Sequence, residues 1–302
     1  MIMDRMKPAP LILAVLINML FSMSALADDQ PAGPAESSVN SRKQFREWDA
    51  QLTVALLPAA DFLGMPGDAS IADYRLKITR NLRIDERLTL IVGGGYGLKH
   101  IDASSGASLP QDLHALFLEA GARYRINEKA FASVRLSPGF YSDFNEIGTD
   151  DLRMPVLALG GYSFDDSWSV VGGLIYRFGS HSSRFMPALG FSYQPNEAWR
   201  FDMVAPRPTI TYSASRQLQL FVAGDFASDE FEVHDQAFGA RAIKYSDYKV
   251  LAGVGFLPVP EVKLSTSIGY AFDRRFVFYD SFRPDLRLED APFFRVSLDV
   301  GW

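Results

Sequence analysis

The sequence predicts an all-β protein, an antiparallel transmembrane β-barrel of about 14 strands. Three observations predict this fold. Long runs alternate apolar and polar side chains, short polar turns alternate with long connections, and an export signal precedes a chain that ends on an aromatic residue. No run of 18 apolar residues occurs after residue 27, so no membrane-spanning helix is predicted.

The N-terminal residues 1–27 have the features of a signal peptide. Arg5 and Lys7 precede a mostly apolar stretch, and Ala25 and Ala27 form a small-x-small cleavage site. The apolar stretch is shorter than the ~20 residues of a spanning helix, which favours cleavage over an uncleaved anchor. Residues 28–45 are polar and are predicted to be a disordered lead-in on the periplasmic side.

Residues 46–302 are predicted to form the barrel. The first strand places Trp48 and Leu52 on one face and Asp49 and Gln51 on the other, and the same alternation recurs along the chain. The alternation persists for roughly ten residues per run, as in the ~9–11 residues of a spanning barrel strand, whereas strands of soluble proteins average about 5–6.

The spacing of polar turns sets the predicted strand count. Short polar dyads occur at positions 85–86, 127–128, 165–166, 196–197, 215–216 and 260–261, with longer connections between them. Short turns at one end and long loops at the other are typical of outer-membrane barrels. Six hairpins plus one strand before and one after them make 14 strands, with both termini periplasmic. The uncertain region is 198–214, where two short strands flank Ala205-Pro206-Arg207-Pro208; without them the count is 12.

Charged residues recur on the face opposite the apolar stripe. In a membrane barrel this face lines the lumen. The candidate lumen-lining residues are Glu119, Arg123, Arg125, Arg135, Arg177, Arg200 and Asp202. Because buried charge is tolerated only when paired or hydrated, these residues either line a water-filled path or form an ion-pair network that fills the barrel. Fourteen strands permit a narrow pore, since eight are filled by side chains and 16–18 leave a channel.

The last nine residues alternate strictly and end on Trp302. This pattern is typical of the terminal strand that the outer-membrane assembly machinery recognises. The strand is predicted to close the barrel against the first one, with Arg295 and Asp299 on the same inner wall as Asp49, where they could pair. The residues assigned to closure and assembly are Phe294, Arg295, Asp299, Trp302 and Asp49.

Three segments resemble a known family. They are Trp199–Pro208 (WRFDMVAPRP), Tyr245–Tyr248 (YSDY) and Gly269–Arg275 (GYAFDRR), in that order. The series resembles the uncharacterised outer-membrane barrel family named domain of unknown function 6268, most strongly over residues 187–280. The resemblance implies an outer-membrane β-barrel. It implies no activity and assigns no functional residue.

An enzyme is the sharpest alternative. His181 lies beside Ser180, Ser182 and Ser183, and a Ser–His pair at the outer rim would suit a lipid-modifying enzyme. A polar loop is the simpler interpretation, so no catalytic residue is assigned and the chain is predicted not to be an enzyme.

No cofactor or metal is predicted. The acidic stretch 225–230 could bind Ca²⁺ through carboxylates, but a solvated loop is the simpler interpretation. The glycines of 93–97 are not followed by Lys-Ser/Thr and a helix, as a phosphate-binding loop requires, and are expected to relieve crowding in a strand.

Composition narrows the function classes. A net charge of -6 argues against nucleic acid as a partner, and the absence of cysteine excludes a lipid-anchored N-terminus and disulfides. The leading hypothesis is an integral outer-membrane protein that passes small polar solutes through a narrow, charge-lined lumen. A structural or surface-contact barrel acting through its external loops is the alternative, and a lipid-modifying enzyme is third. Expected partners are outer-membrane lipid, the assembly machinery and small polar solutes.

Overall fold

The computed structural model describes residues 46–182, 185–235 and 238–302. The predicted signal peptide and lead-in, residues 1–45, lie outside the described residues. Apart from two 3-10 turns, Ser105–Ala107 and Thr149–Asp151, the regular structure described is β-strand. The described residues contain no helix long and apolar enough to cross a bilayer.

Sixteen strands are described. They are β1 (Trp48–Asp61), β2 (Asp68–Arg83), β3 (Leu88–Ala103), β4 (Asp112–Arg125), β5 (Ala130–Leu136), β6 (Gly139–Ser142), β7 (Leu152–Ser163), β8 (Trp168–Phe178), β9 (Phe185–Tyr193), β10 (Trp199–Val204), β11 (Thr209–Ser213), β12 (Leu218–Glu232), β13 (Ala242–Val259), β14 (Val262–Tyr279), β15 (Leu286–Leu288) and β16 (Ala291–Gly301).

The strands close into an antiparallel barrel of 14 wall positions. Sequence neighbours pair around the wall, and β1 pairs with β16 to complete it. β5 and β6 occupy one wall position between β4 and β7, interrupted at Ser137 and Pro138. The backbone groups of these two residues still form hydrogen bonds to β7 and β4, respectively. β15 pairs only with β14. The prediction of 14 strands is confirmed, and the alternative of 12 is wrong because β10 and β11 are both wall strands.

The two faces of the wall have opposite chemistry. Outward residues such as Leu189 and Ile268 are apolar and more than 60 % exposed, at 63 % and 68 %. Inward residues such as Lys99, Glu119 and Lys249 are charged and buried. This is the distribution of a barrel in lipid and the reverse of a soluble barrel.

Both ends of the described chain lie at the end of the barrel that carries the short turns, which we call the turn end. Trp48 and Trp302 exchange two backbone hydrogen bonds of 2.8 and 3.0 Å and their rings stack. The turns are fixed locally: the Asp85 Oδ1 atom accepts hydrogen bonds from the backbone N–H groups of Arg87 and Leu88. Asn127, Asp165 and Asn196 do the same in their turns. The opposite end is the loop end.

The loop half of the barrel is filled by an apolar core. Its buried members come from β1–β4, β12–β16 and nearby loops, and include Leu57, Ile71, Ile101, Leu113, Phe231, Ile243, Phe276, Leu288 and Phe293. A β-bulge in β14 supplies part of it. Asp273 has a φ of 50°, and the pairing with β13 shifts there, so that Phe272 faces outward while Arg274 and Phe276 face inward.

Candidate functional site

A polar cavity of about 730 Å³ occupies the lumen between the turn end and this core. β1–β3, β10–β14 and β16 supply most of its lining. The lining includes seven Lys and Arg side chains and five Asp and Glu side chains, an excess of two positive charges: Arg75, Lys99, Arg200, Arg207, Lys249, Lys263 and Arg295 against Asp73, Glu197, Asp202, Asp225 and Asp299. Serine, threonine and glutamine side chains fill much of the remaining lining.

The part of the cavity nearest the turn end combines paired charges with a lysine over an aromatic ring. Asp202 is bound by Arg200 at 2.6 Å and accepts a hydrogen bond from Ser192. The Lys263 ammonium lies 6.0 Å from the centre of the Phe221 ring, and Lys263 pairs in register with Asp299.

Asp225 joins two strands at the middle of the cavity. Its carboxylate accepts hydrogen bonds from Arg207 Nε and Arg295 Nη2, both at 2.8 Å. Asp225 is buried, whereas the Arg207 side chain, in the turn between β10 and β11, is 64 % exposed. The β10–β11 hairpin is therefore tied through Asp225 to the last strand.

The upper limit of the cavity is a layer of four charged side chains that crosses the lumen, here called the charged layer: Asp73, Arg75, Lys99 and Asp229. Arg75 Nη2 lies 2.6 Å from Asp229 Oδ2, and Lys99 Nζ lies 2.6 Å from Asp73 Oδ2. Arg75 and Lys99 belong to β2 and β3, whereas Asp229 belongs to β12, five wall positions from β2. The charged layer therefore links opposite walls.

A second buried network lies beside the charged layer on β13 and β14. Lys249 donates to the carboxylate of Asp247, which also accepts a hydrogen bond of 2.9 Å from the Tyr245 hydroxyl. Arg274 Nε donates to the same hydroxyl at 3.3 Å. Each buried charge in this network thus has a polar partner, as burial requires.

Between β11 and β12, a backbone ladder closes the wall only in the turn half of the barrel. That ladder joins residues 209–213 to residues 219–223. Beyond it, β12 continues to Glu232, and among the described residues the next strand it meets on that side is β6, through a single parallel bridge between Glu232 and Ser142.

Side chains close the loop half of this seam. The Glu230 carboxylate accepts hydrogen bonds from the Ser180 hydroxyl at 2.8 Å and from the backbone N–H groups of His181 and Ser182 at 2.6 and 3.1 Å. Glu232 accepts hydrogen bonds from Arg153 of β7 and from His181 Nε2, the latter at 2.9 Å. Two buried carboxylates of β12 therefore replace the missing backbone ladder.

Two of the residues predicted to line the lumen, Arg200 and Asp202, line the cavity. The charges predicted on β4 and β5 lie elsewhere on the inner wall. Glu119 is buried, with Lys77 at 2.8 Å and Arg135 at 3.4 Å.

The remaining three predicted residues are also outside the cavity lining. Arg123 lies over the Phe131 ring near the turn end, where Arg125 is exposed. Arg177 donates to the Ser228 hydroxyl at 3.3 Å.

Several cavity residues were not selected from the sequence, notably Arg207, Lys249 and Lys263. Their alternation with apolar residues indicates that they face inward, but no sequence signal gives their position along the barrel axis.

The terminal strand has the register expected of a closing strand, with partners that differ from the predicted ones. Arg295 binds Asp225, and Asp299 accepts a hydrogen bond of 2.7 Å from Gln51. Asp49 faces Gly301 and accepts a hydrogen bond from Asn81. The expectation that Arg295 or Asp299 pairs with Asp49 is wrong, because the register places Ala55 and Gln51 opposite them.

Phe294 and Trp302 are exposed on the outer face.

The loop at His181 is arranged as a support for β12. His181 Nδ1 lies 3.7 Å from Asp280, and the Ser180 hydroxyl bonds to Ser182 and Glu230. Among the described residues at this loop, which do not include Ser183, no serine hydroxyl is bonded to the His181 ring. Ser180 and Ser182 are therefore not arranged as a Ser–His pair with His181.

The acidic stretch 225–230 does not converge on one point. Asp225, Asp229 and Glu230 bind three different groups of partners. Within residues 46–182, 185–235 and 238–302, no group of three or more His, Asp or Glu side chains is placed to hold a metal ion.

These features define a bacterial outer-membrane β-barrel with a polar lumen. Comparison with known proteins agrees with this class. An outer-membrane channel from Pseudomonas putida F1 is 12 % identical with a TM-score of 0.51, over 89 % of this chain and 100 % of that one. A FadL homologue from Pseudomonas aeruginosa is 11 % identical with a TM-score of 0.43, over 84 % and 90 %.

The translocator domain of the autotransporter NalP from Neisseria meningitidis is 11 % identical with a TM-score of 0.41, over 96 % of this chain and 97 % of that one. No known family profile and no curated protein sequence matches the chain.

Proposed function

We propose that this protein is a narrow outer-membrane pore through which small polar solutes diffuse. The observation that carries the proposal is the polar cavity of about 730 Å³ in the lumen, whose cationic lining side chains are balanced by the carboxylates of the lining together with Asp229 and Asp247. Charges along a confined path attract solutes of opposite sign and repel those of like sign.

The orientation follows from the asymmetry of the connections. In bacterial outer-membrane barrels the short turns face the periplasm and the long loops face outward. We therefore place the turn end, with Trp48 and Trp302, in the periplasm. The cavity would then be a vestibule reached from the periplasmic side.

The charged layer is the constriction in this proposal. It and the apolar core separate the cavity from the loop end. Passage requires the side chains of the charged layer, including Arg75 and Asp229, and those of the apolar core to move aside, which predicts infrequent openings of low conductance. The fold similarity to an outer-membrane channel at 12 % identity agrees with this interpretation.

Single-channel recording in planar bilayers tests the proposal. Purified, folded protein is expected to give discrete conductance steps in KCl. Insertion is measured independently by protease protection in liposomes. Full insertion with no conductance steps at either polarity would overturn the proposal.

A further inference from the structure

The outer face of the loop half carries a row of cations. Register places Arg275 of β14 directly opposite Arg287 of β15. Both point outward, because their neighbours Arg274, Phe276 and Leu288 are buried, at 1 %, 0 % and 2 % exposure, and side chains alternate along a strand.

Lys244 extends this row on β13. It faces Val277, two residues along β14 from Arg275, and therefore lies diagonal to Arg275 on the same face. Its ammonium lies 5.7 Å from the centre of the Tyr279 ring. We call Lys244, Arg275 and Arg287 the outer cation row.

The row is only partly neutralised by its surroundings. Glu230 faces Lys244 in register on β12, and the exposed Asp285 and Glu289 lie two residues on either side of Arg287. Arg275 is paired with Asp273. Across the part of the chain that the structure describes, no carboxylate lies within ion-pair distance of Arg287 or Lys244. Like charges directly opposite each other on adjacent strands are destabilising, so an anion bound between the two arginines would relieve repulsion.

Exposed aromatic side chains lie next to the row on the side of the turn end. Tyr248 and Phe272 stack with ring centres 5.8 Å apart, and Tyr270 is exposed beside them. Aromatic girdles of membrane barrels mark the interface between hydrocarbon and headgroups. The outer cation row therefore lies at headgroup height.

The other end of the barrel provides a contrast. At the turn end, Arg80 lies over the Trp48 ring at 5.2 Å and donates to the Glu47 carboxylate at 2.8 Å. That girdle cation is neutralised within the protein, whereas Arg287 is not.

We propose that Arg275 and Arg287, assisted by Lys244, bind the phosphate group of a phosphorylated membrane lipid. The guanidinium fork matches phosphate oxygens in a bidentate manner, and a polybasic surface beside the bilayer favours anionic lipid. The acyl chains would lie along Tyr248 and Phe272. This lipid site does not depend on whether the lumen conducts.

Binding of a bisphosphorylated glucosamine lipid in detergent micelles, measured by native mass spectrometry, tests the site. The double variant Arg275→Gln/Arg287→Gln is expected to bind this lipid about tenfold more weakly than the wild type. Arg80→Gln, a girdle arginine at the turn end, is the matched control and should bind it as the wild type does. Both variants are first checked for the β-sheet circular dichroism of the wild type.

Two further arms identify the ligand group. The same lipid after phosphatase treatment should bind wild type no better than it binds the double variant. Inorganic phosphate at millimolar concentration should not raise the unfolding temperature of the wild type. The proposal is overturned if the double variant keeps wild-type affinity, if the dephosphorylated lipid binds wild type equally well, or if inorganic phosphate alone stabilises the protein as much as the lipid does. If the double variant has the same conductance as the wild type, the lipid site acts independently of the pore.

Discussion

The Arg75 guanidinium and the Asp229 carboxylate meet across the lumen, 2.6 Å apart, although their strands lie five positions apart in the wall. Lys99 and Asp73 complete the contact. The charged layer therefore links two walls of the barrel, and in the proposed pore it closes the cavity together with the apolar core.

Asp229→Asn is expected to weaken the charged layer and to raise single-channel conductance, because Arg75 loses its partner on the opposite wall. The loss of this ion pair should lower the free energy of unfolding by less than the ~3–5 kcal/mol of a fully buried pair, because the Arg75 side chain is 44 % exposed. Glu119→Gln, a buried carboxylate outside the cavity lining, is the control, with lower stability and unchanged conductance. If Asp229→Asn and wild type have equal conductance, the charged layer is not the constriction of the pore.

Lys263→Glu should shift ion selectivity toward cations. The substitution changes the charge of the cavity lining by two units and makes the cavity net negative, because Asp229 and Asp247 already balance the lining cations Arg75 and Lys249. The reversal potential under a KCl gradient measures the shift. Arg125→Glu, at the exposed turn end and outside the cavity lining, makes the same charge change and should move the reversal potential much less. Equal shifts for the two variants would place the selectivity outside the cavity.

Glu232→Gln should open the seam between β12 and the β8–β9 loop. The neutral amide loses the ion pair with Arg153, which keeps only the longer contact with Glu230 at 3.7 Å, so the cost should be below the ~3–5 kcal/mol of a buried charge left without a partner. Urea unfolding in detergent measures the difference. Glu289→Gln, on an exposed side chain at the same end, is the control. If the two variants have equal stability, Glu232 does not hold the seam.

Asp85→Asn should remove one source of acid sensitivity. Hydrogen bonds from the backbone N–H groups of Arg87 and then Leu88 lower the pKa of Asp85, so its contribution to stability is present above the unfolded-state value near 3.9 and is lost as pH falls through the lower folded value. Asparagine keeps the acceptor oxygen without titrating, as Asn127 and Asn196 do in equivalent turns.

The test compares stability between pH 5 and pH 2 in wild type and variant. Wild type is expected to lose more stability over this interval than Asp85→Asn does. Parallel pH profiles would contradict the assignment of this turn as an acid-sensitive element.

The loop that follows β12 should loosen at alkaline pH. Burial lowers the pKa of His234, but the hydrogen bond and charge of Asp151 outweigh burial, so the pKa lies above its usual value. Stability from this contact is complete below the unfolded-state pKa near 6.5 and is lost as pH rises through the raised folded value. Proteolytic cleavage within 233–241 should therefore accelerate with rising pH.

His234→Gln should be cleaved at a rate that varies little over the same pH interval, after correction for the pH dependence of the protease on an unfolded substrate. An unaltered pH profile in that variant would show that another group controls the loop.

The strand map was largely predictable because it depends on local chemistry. Asp85, Asn127, Asp165 and Asn196 each bind the backbone two and three residues ahead, so the turns are visible in sequence. The bulge at Asp273 was not predictable, because its φ of 50° and the shift in pairing with β13 depend on neighbouring strands. The candidate site was predicted less well: Arg200 and Asp202 line the cavity, whereas Glu119 and Arg135 belong to an ion-pair cluster away from it.

The sequence by itself determined the class of fold, a strand number of 14 or 12 and which side chains share a face, since alternation and turn chemistry act within a few residues. Tertiary structure alone decided which charges meet. Arg75 and Asp229 are 154 positions apart in sequence, and Asp225 and Arg295 are 70 apart. Their contact depends on barrel closure and on the stagger between strands, which set the height of each side chain and are properties of the whole sheet.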